Sequence, residues 1–494
     1  MLFNSIQFLC FFPIVALLYY VIPHRFRHLF LLAASYYFYM CWNPRYALLM
    51  ATSTIITYAS GILLGRCREN GGDQRRARLY VFISFALNLS ILFFFKYFNF
   101  FTESVASLLS RVGVQMRPVR FDIVLPVGIS FYTFQALSYT MDVYRGELPP
   151  ERNLFKYALF VSFFPQLVAG PIERSKNLIH QIHEKHTFDG ARVKSGLLLM
   201  LFGYFQKLVL ADRLAVLVDT VYNNWQAYQG YEIAIATVCF AFQIYCDFAS
   251  YSNIAIGAAR VMGFSLMDNF DTPYFSESVS EFWRRWHISL STWFRDYLYI
   301  PLGGNRKGKL RTYINIMIVF LVSGLWHGAS WHFVVWGGMN GLFQVIGSMT
   351  MPLRDRLASA FHIDRKVFSH RLLKKIVTFA LICLTWLFFR AESMSAALGT
   401  LQRMLRFNNP WIFVDGTLFE LGLDQQEFTL LLVSLGILFF FSVCRYRKID
   451  VIQRLEAQGL WFRWLVYFAG IFFILIFGKY GPTVDASAFL YFQF

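Results

Sequence analysis

The hydrophobic pattern of this chain consists of long apolar runs separated by short basic segments, from one end to the other. A helix needs about 20 apolar residues to cross a bilayer core about 30 Å thick, so the runs predict membrane spans. We expect spans near residues 5–22, 29–42, 46–64, 79–98, 123–143, 196–210, 231–258, 312–329, 331–348, 372–390, 429–444 and 461–477. No polar linker divides the runs, which predicts one integral membrane domain over residues 1–494.

Two apolar segments have their own interpretations. Residues 154–171 have basic loops on both sides, so this segment fits a re-entrant or half-inserted element better than a full crossing. The first run, residues 1–23, lacks a basic leader and a small-residue cleavage site. We therefore interpret it as a retained first helix rather than a signal peptide.

The charge distribution gives these helices an orientation. The chain is 57% hydrophobic and 15% charged, with a formal net charge of +17. Such a charge could indicate nucleic-acid binding, but the basic residues form short clusters between apolar runs, and this placement orients helices in a bilayer. The positive-inside rule assigns these clusters to the cytoplasm: residues 24–28, 66–78, 174–194, 284–311, 354–375 and 445–448. Both termini then lie outside, and residues 478–494 form an extracytoplasmic tail, although the loop 99–122 carries three arginines on that same outer side.

His327 is the first candidate for chemistry because it lies in an apolar run. An ionisable side chain at membrane depth is unfavourable and usually functional. If its helix enters the bilayer near Arg311, His327 lies roughly 24 Å from the cytoplasmic entry, beyond the midplane. The alternative is a hydrogen-bonded packing residue, which membrane depth makes the weaker interpretation.

The segment Glu281–Tyr299 alternates arginines with tryptophans and predicts an interfacial helix on the cytoplasmic leaflet. His287 lies on this helix, where amphipathic anchoring and chemistry are equally supported. The two histidines would then lie at different depths, with His327 away from the helix that carries His287. His332 is five residues past His327 and therefore on another helix face, where we expect an interfacial position.

Several other polar features have two interpretations each. The loop from Leu302 to Lys309 is glycine-rich and cationic, so it could hold phosphates, although a simple turn before a helix explains it as well. His180, His183 and His186 drift around a helix at steps of three, which disfavours a metal site. Asp247 is an acid in the middle of a span and requires a partner.

Five segments carry a resemblance to a known family. They are Pro126–Gly146 (PVGISFYTFQALSYTMDVYRG), Phe164–Arg174 (FPQLVAGPIER), Glu281–Gly308, Gly324–Gly328 (GLWHG) and the terminal FLYFQF. The chain resembles the membrane-bound O-acyltransferases, within them the bacterial branch that O-acetylates alginate, close to relatives that O-acetylate peptidoglycan. The resemblance implies an all-α polytopic protein of the bacterial inner membrane, with about 11–13 transmembrane or re-entrant helices around a central tunnel.

The resemblance also implies a reaction and its residues. The catalytic histidine of the W-H-G motif falls on His327, the upstream histidine of the R-R-W-H-I-S-L motif falls on His287, and residues 281–328 form the catalytic core segment. The family takes an acyl group from a cytoplasmic thioester, here acetyl-CoA, and passes it to a hydroxyl. The bacterial branch hands acetyl to an extracytoplasmic SGNH-type or serine hydrolase-like transferase that modifies a cell-envelope polysaccharide. The C-terminal aromatic motif implies that Tyr491 accepts an acyl group as a relay; the alternative is that these aromatic residues anchor the tail at the membrane interface.

Four basic residues lie on the side where coenzyme A phosphates would arrive, namely Arg284, Arg285, Arg306 and Lys307. The sequence predicts no metal, no permanently bound cofactor and no nucleic-acid partner. The run Asp247–Asn253 (DFASYSN) departs from the family's D-F-S-G-Y-S-D, which leaves the acceptor class open. The alternatives are a transporter of acetylated or lipid-linked glycan without chemistry of its own, or D-alanyl transfer to teichoic acid.

Overall fold

The computed structural model describes residues 1–69, 71–122, 124–480 and 489. Within these residues the chain is helical and contains no strand, only one isolated β-bridge between Phe270 and Trp286. The all-α prediction is therefore confirmed.

The α-helices of the first half are α1 (Ile6–Val21), α2 (His24–Met40), α3 (Pro44–Glu69), α4 (Gln74–Leu92), α5 (Phe98–Arg111), α6 (Ile129–Arg145), α7 (Leu154–Ser162), α8 (Phe164–Leu167), α9 (Ser175–His183), α10 (Gly190–Tyr204), α11 (Asp212–Asn223) and α12 (Tyr231–Val261). Those of the second half are α13 (Val279–Arg285), α14 (Ile288–Phe294), α15 (Lys309–His327), α16 (Trp331–Met349), α17 (Met351–Ala360), α18 (Phe368–Arg390), α19 (Met394–Met404), α20 (Gln425–Tyr446), α21 (Val451–Glu456) and α22 (Leu460–Phe477). Single π-helical turns cover Phe93–Tyr97, Phe205–Ala211 and Arg295–Tyr299, and 3₁₀ turns cover Pro273–Phe275, Pro410–Phe413 and Thr417–Glu420.

Eight helices of the described residues are long and apolar enough to cross a membrane. They are Pro44–Glu69, Gln74–Arg111, Gly190–Asn223, Tyr231–Val261, Lys309–His327, Phe368–Arg390, Gln425–Tyr446 and Leu460–Phe477. The shorter apolar helix α1 adds to them. Two spans, Gln74–Arg111 and Gly190–Asn223, are far longer than predicted, because π-helical turns continue α4 into α5 and α10 into α11 without a break. The multi-pass membrane prediction is confirmed.

The segment 154–171 folds as two short helices, α7 and α8, whose side chains are mostly buried. The nine residues of α7 rise only about 13 Å, which is less than half of a bilayer core. The carbonyl oxygen of Phe160 accepts hydrogen bonds from the side-chain amides of Gln135 and Gln166. The segment is therefore too short to cross a bilayer as a helix, and surrounding protein satisfies its irregular backbone; its half-insertion into the membrane stays a prediction.

The chain folds into two compact units. The first unit contains Met1–Met200 and Tyr251–Met267, and the second contains Leu201–Ser250 and Asp268–Phe494, so the boundaries fall inside α12 and at the end of α10. In the first unit, α3 and α6 pack closely, because Gly61 leaves room for the ring of Tyr139. Tyr157 of α7 packs against Tyr139 and donates its hydroxyl to Thr57 of α3 at 2.7 Å.

In the second unit, α15 and α16 form a tight antiparallel hairpin. A Cβ atom at Gly337 would collide with the carbonyl oxygen of Phe320, and one at Gly324 would collide with the carbonyl oxygen of Phe333. Small residues that allow such backbone approach are typical of helix packing in membranes. The hairpin fixes the end of α15, where His327 lies.

Gly337→Ala should destabilise this hairpin, whereas Gly347→Ala in the same helix should not. The first substitution forces the helices apart, which generally costs about 1–3 kcal/mol. The second places its methyl group in open space and removes a flexible glycine from a helix. We expect a melting temperature several degrees lower for Gly337→Ala in detergent, and an unchanged or higher one for Gly347→Ala. Equal melting temperatures for the two variants would contradict the close helix contact.

Candidate active site

The chain turns sharply at His287, between α13 and α14. The residue has φ 44° and ψ 56°, in the left-handed region that non-glycine residues seldom occupy. Such strain persists only where surrounding structure enforces it, and it is concentrated at functional sites. The segment Glu281–Tyr299 is thus two short helices and a π-helical turn rather than one continuous helix.

Three hydrogen bonds to residues 269–271 hold this turn in place. The backbone N–H of Ile288 donates to the carbonyl oxygen of Asn269 at 2.9 Å, and the hydroxyl of Ser289 donates to the Asn269 side chain at 2.6 Å. On the other side of the turn, the N–H of Asp271 donates to the carbonyl oxygen of Arg285 at 2.9 Å. These bonds fix the backbone on both sides of His287 and therefore the position from which its imidazole extends.

The structure brings His287 and His327 together. Their ring centroids lie 6.4 Å apart, and the indole of Trp326 lies 5.8 Å from the first ring and 5.0 Å from the second. Both histidines are buried, with 1% and 5% of their surface exposed. The predicted separation of the two histidines is wrong, because the turn directs residue 287 inward.

The prediction of one interfacial helix over Glu281–Tyr299 is wrong for the same reason, while the cytoplasmic location of this segment stays a prediction. Trp283, Trp286 and Trp293 are buried rather than spread along a surface. Trp283 donates its indole N–H to the side chain of Asn340 at 3.1 Å. His332, expected at an interface, is buried as well, with its Nδ1 3.1 Å from the carbonyl oxygen of Phe388.

Aromatic rings surround the histidine pair. Phe248 lies 4.7 Å from His287, while Trp336 and Phe389 lie 4.9 and 5.5 Å from His327. Burial lowers the pKa of His287 to about 3, so its imidazole is neutral at physiological pH. His287 therefore supplies a neutral imidazole, and the aromatic rings around both histidines form walls that exclude water.

The four predicted donor-binding cations do not share one environment. Arg285 is engaged within the fold, since it contacts the carboxylates of Glu281 at 3.0 Å and Asp271 at 3.5 Å. Arg284, Arg306 and Lys307 are exposed, and no carboxylate of the described chain lies within ion-pair distance of them. These three side chains are available to an anionic group.

Several backbone N–H groups of the glycine-rich loop Leu302–Lys309 are hydrogen-bonded to nearby carbonyl oxygens of the protein. The N–H groups of Gly303 and Gly304 donate to the carbonyl oxygens of Ile300 and Tyr299, and that of Arg306 donates to Gly303. These three N–H groups therefore do not form a free cradle for an anion. A phosphate would depend on the side chains of Arg306 and Lys307.

A buried ion cluster near the middle of α12 supplies the partner that Asp247 requires. The ammonium of Lys207 lies 2.7 Å from Asp247 Oδ1 and 2.9 Å from Asp212 Oδ1. Sequence reasoning did not single out Lys207 or Asp212, although a lysine inside an apolar run is a sign of such a site. The pairing joins residues 40 positions apart, which no local pattern shows.

The histidines of α9 and its following loop have partners within the protein. His183 Nε2 lies 2.6 Å from a carboxylate oxygen of Glu151, and His186 Nε2 lies 3.0 Å from the carbonyl oxygen of Gln181. Among the residues that the structure describes, no three possible metal ligands cluster together. Tyr491 lies outside the described residues, but Phe489 of the same motif is described and buried.

The chain is similar to known membrane acyltransferases over most of its length. Residues 147–390 match the family model of the membrane-bound O-acyltransferases. A probable alginate O-acetylase AlgI from Pseudomonas aeruginosa is 39% identical over 82% of this chain and 75% of its own length. A probable alginate O-acetylase AlgI from Pseudomonas putida is 36% identical over the full length of both chains. A peptidoglycan O-acetyltransferase from Helicobacter pylori is 32% identical over 83% of this chain and 80% of its own length.

The left-handed turn at residue 287 predicts a difference between two substitutions that both remove the imidazole. Asparagine tolerates the left-handed region, whereas a β-branched valine does not. We expect His287→Asn to lower the melting temperature only slightly. His287→Val should lower it by several degrees more, as measured by thermal unfolding in detergent. Equal losses would show that the backbone at this residue is not constrained.

Proposed function

Because the chain belongs to the membrane-bound O-acyltransferase family, we propose that it transfers acetyl from cytoplasmic acetyl-CoA for O-acetylation of an extracytoplasmic polysaccharide. It is a multi-pass acyltransferase of the inner membrane. Its relatives are named for acetylation of alginate and peptidoglycan, and both acceptors are envelope polysaccharides that carry hydroxyl groups. The observation that carries the proposal is the buried pair of histidines, 6.4 Å apart.

His327 is the general base in this proposal. A neutral imidazole takes the proton of the attacking hydroxyl, the new C–O bond forms at the thioester carbon, and the C–S bond breaks. The proton then passes from the imidazole to the departing thiolate, so the base is regenerated. General base catalysis of this kind contributes about 10²–10⁴-fold to a rate.

His287 supports the same step from the other side of the acyl group. A separation of 6.4 Å between ring centroids allows both imidazoles to contact one thioester. Burial keeps His287 neutral, and a neutral ring N–H can donate a hydrogen bond to the carbonyl oxygen as negative charge develops there. The strained turn fixes this donor before substrate arrives, which favours the transition state.

The surrounding aromatic rings protect the acetyl group from hydrolysis. Water competes with the hydroxyl acceptor for any activated thioester. Trp326, Trp336 and Phe389 occupy the space around His327 and restrict water there. This environment makes transfer to a bound hydroxyl the favoured outcome.

The exposed cations Arg284, Arg306 and Lys307 bind the phosphates of coenzyme A in this proposal. Arg285 has a different role, because its ion pairs with Glu281 and Asp271 stabilise the turn at His287. The acyl acceptor on the outer side is Tyr491 of the C-terminal motif. An SGNH-type or serine hydrolase-like transferase then passes acetyl to the polysaccharide.

Purified wild-type protein should release coenzyme A from labelled acetyl-CoA when an acceptor is supplied, and His327→Ala should lower this rate by at least about 100-fold. His180→Ala serves as the matched histidine control, since that side chain is largely exposed and pairs with Glu184 on the surface. The control variant should retain the wild-type rate. If wild type and His327→Ala were equally inert while both moved glycan, the protein would be a transporter.

Arg306→Ala combined with Lys307→Ala should raise the KM for acetyl-CoA by about tenfold with little change in kcat. The reason is that the removed charges bind the donor's phosphates rather than the reacting atoms. Wild-type KM should also rise with ionic strength, and the double variant should respond less. Lys366→Ala, an exposed lysine of another basic segment, is the control. An unchanged KM in the double variant would place the donor elsewhere.

A further inference from the structure

A second polar site lies within the second unit, at the ion cluster of Lys207, Asp212 and Asp247. Lys207 and Asp247 are buried, and Asp212 is nearly so. One ammonium serves two carboxylates, and Asp212 Oδ2 is buried with no hydrogen-bond partner among the described residues. Ionisable groups at membrane depth usually mark function rather than stability.

The backbone at Lys207 is unusual as well. The residue lies in the π-helical turn Phe205–Ala211, which joins α10 to α11. Short π-helical insertions in longer helices are frequent at functional sites. They also leave carbonyl groups without their ordinary helical partners, and one of these, at Leu208, accepts a hydrogen bond from a distant part of the chain.

That distant part is the chain beyond α22. The N–H of Lys479 donates to the carbonyl oxygen of Leu208 at 2.8 Å. The Lys479 ammonium binds Glu427 at 2.9 Å, and Arg213 reaches both Glu427 and the carbonyl oxygen of Phe477. The start of the C-terminal tail is therefore fixed beside the residue that follows Lys207.

Phe489, ten residues further along the sequence, also contacts this π-helical turn. Phe489 has only 3% of its surface exposed, and its ring centroid lies 5.6 Å from the Lys207 ammonium. This distance is within the range of a cation–π interaction, which is strongest where water is excluded. Two separate contacts thus bring the tail to one π-helical turn.

We propose that the Lys207 cluster is the docking site of the C-terminal segment, and that Lys207 acts as a positioning residue for the acceptor motif. The two carboxylates hold the ammonium in place, and the ammonium holds the ring of Phe489. Asp247 of the cluster precedes Phe248, whose ring packs against His287. Docking at this site therefore holds Phe489 in the same unit as the histidine pair, and its role in positioning the acceptor rests on the proposed acyl transfer.

The docking can be measured without any assay of acetyl transfer. Full-length protein with Ser487→Cys is treated with a water-soluble maleimide, and labelling of the tail peptide is quantified over time by mass spectrometry. Phe489→Leu, which keeps an apolar side chain but removes the ring, should increase the labelling rate by about tenfold. Phe489→Trp, which retains a ring, should label as slowly as the parent.

Matched variants separate docking from general loosening. Phe472→Leu makes the same change at an exposed position of α22 and should leave labelling unchanged. Lys207→Met should label as rapidly as Phe489→Leu, provided that it folds, and the Phe489 variants carry the test if it does not. Labelling of Phe489→Leu at the parent rate would overturn the proposal.

An activity arm distinguishes this proposal from the proposed function. With labelled acetyl-CoA, Phe489→Leu should acetylate Tyr491 less than the parent does, whereas Phe489→Trp should acetylate it to the parent level. If the maleimide labelling rate changes as expected but neither the parent nor any variant consumes acetyl-CoA, the docking stands and the acyltransferase assignment fails. If acetyl-CoA is consumed but Phe489→Leu leaves the maleimide labelling rate unchanged, only the docking fails.

Discussion

The hydrogen bonds between Asn269 and the turn at His287 are the interaction on which the candidate site depends. The N–H of Ile288 and the hydroxyl of Ser289 both donate to Asn269, and these two bonds hold His287 in a left-handed conformation that it would otherwise avoid. With the turn in place, the imidazole of His287 faces inward and lies 6.4 Å from His327. Without it, the arginines and tryptophans of residues 281–299 would form the amphipathic surface helix that their pattern suggests.

The sequence predicted the helical membrane architecture because a bilayer imposes a simple rule on apolar run length. It also singled out His287 and His327 as candidates, through the unfavourable burial of one and the family likeness of both. It could not predict their proximity, since the left-handed turn occurs at a histidine and no glycine marks it. The interfacial assignment of residues 281–299 failed because amphipathic composition does not distinguish a membrane surface from a buried, broken helix.

Long-range polar contacts were the other part that local patterns could not predict. Asp247 was correctly identified as needing a partner, yet its partner Lys207 is 40 residues away on another helix. Predicted topology and charge group Arg285 with three other cations, but its charge is engaged with Glu281 and Asp271. Asp247 binds Lys207 in the buried ion cluster. Phe248, the next residue of helix α12, packs against His287, so adjacent residues of one helix contact the ion cluster and the histidine pair.

Sided proteoliposomes test whether the buried histidine pair catalyses transfer of acetyl from a donor on the inner side to an acceptor on the outer side. Labelled acetyl-CoA is sealed inside vesicles containing oriented protein, and acetyl on a hydroxyl acceptor outside is measured with time. Wild-type protein should place label on the outer acceptor while His327→Ala does not, at equal protein content and equal vesicle integrity. Outer label at the wild-type rate in His327→Ala vesicles would show that His327 is not the catalytic base.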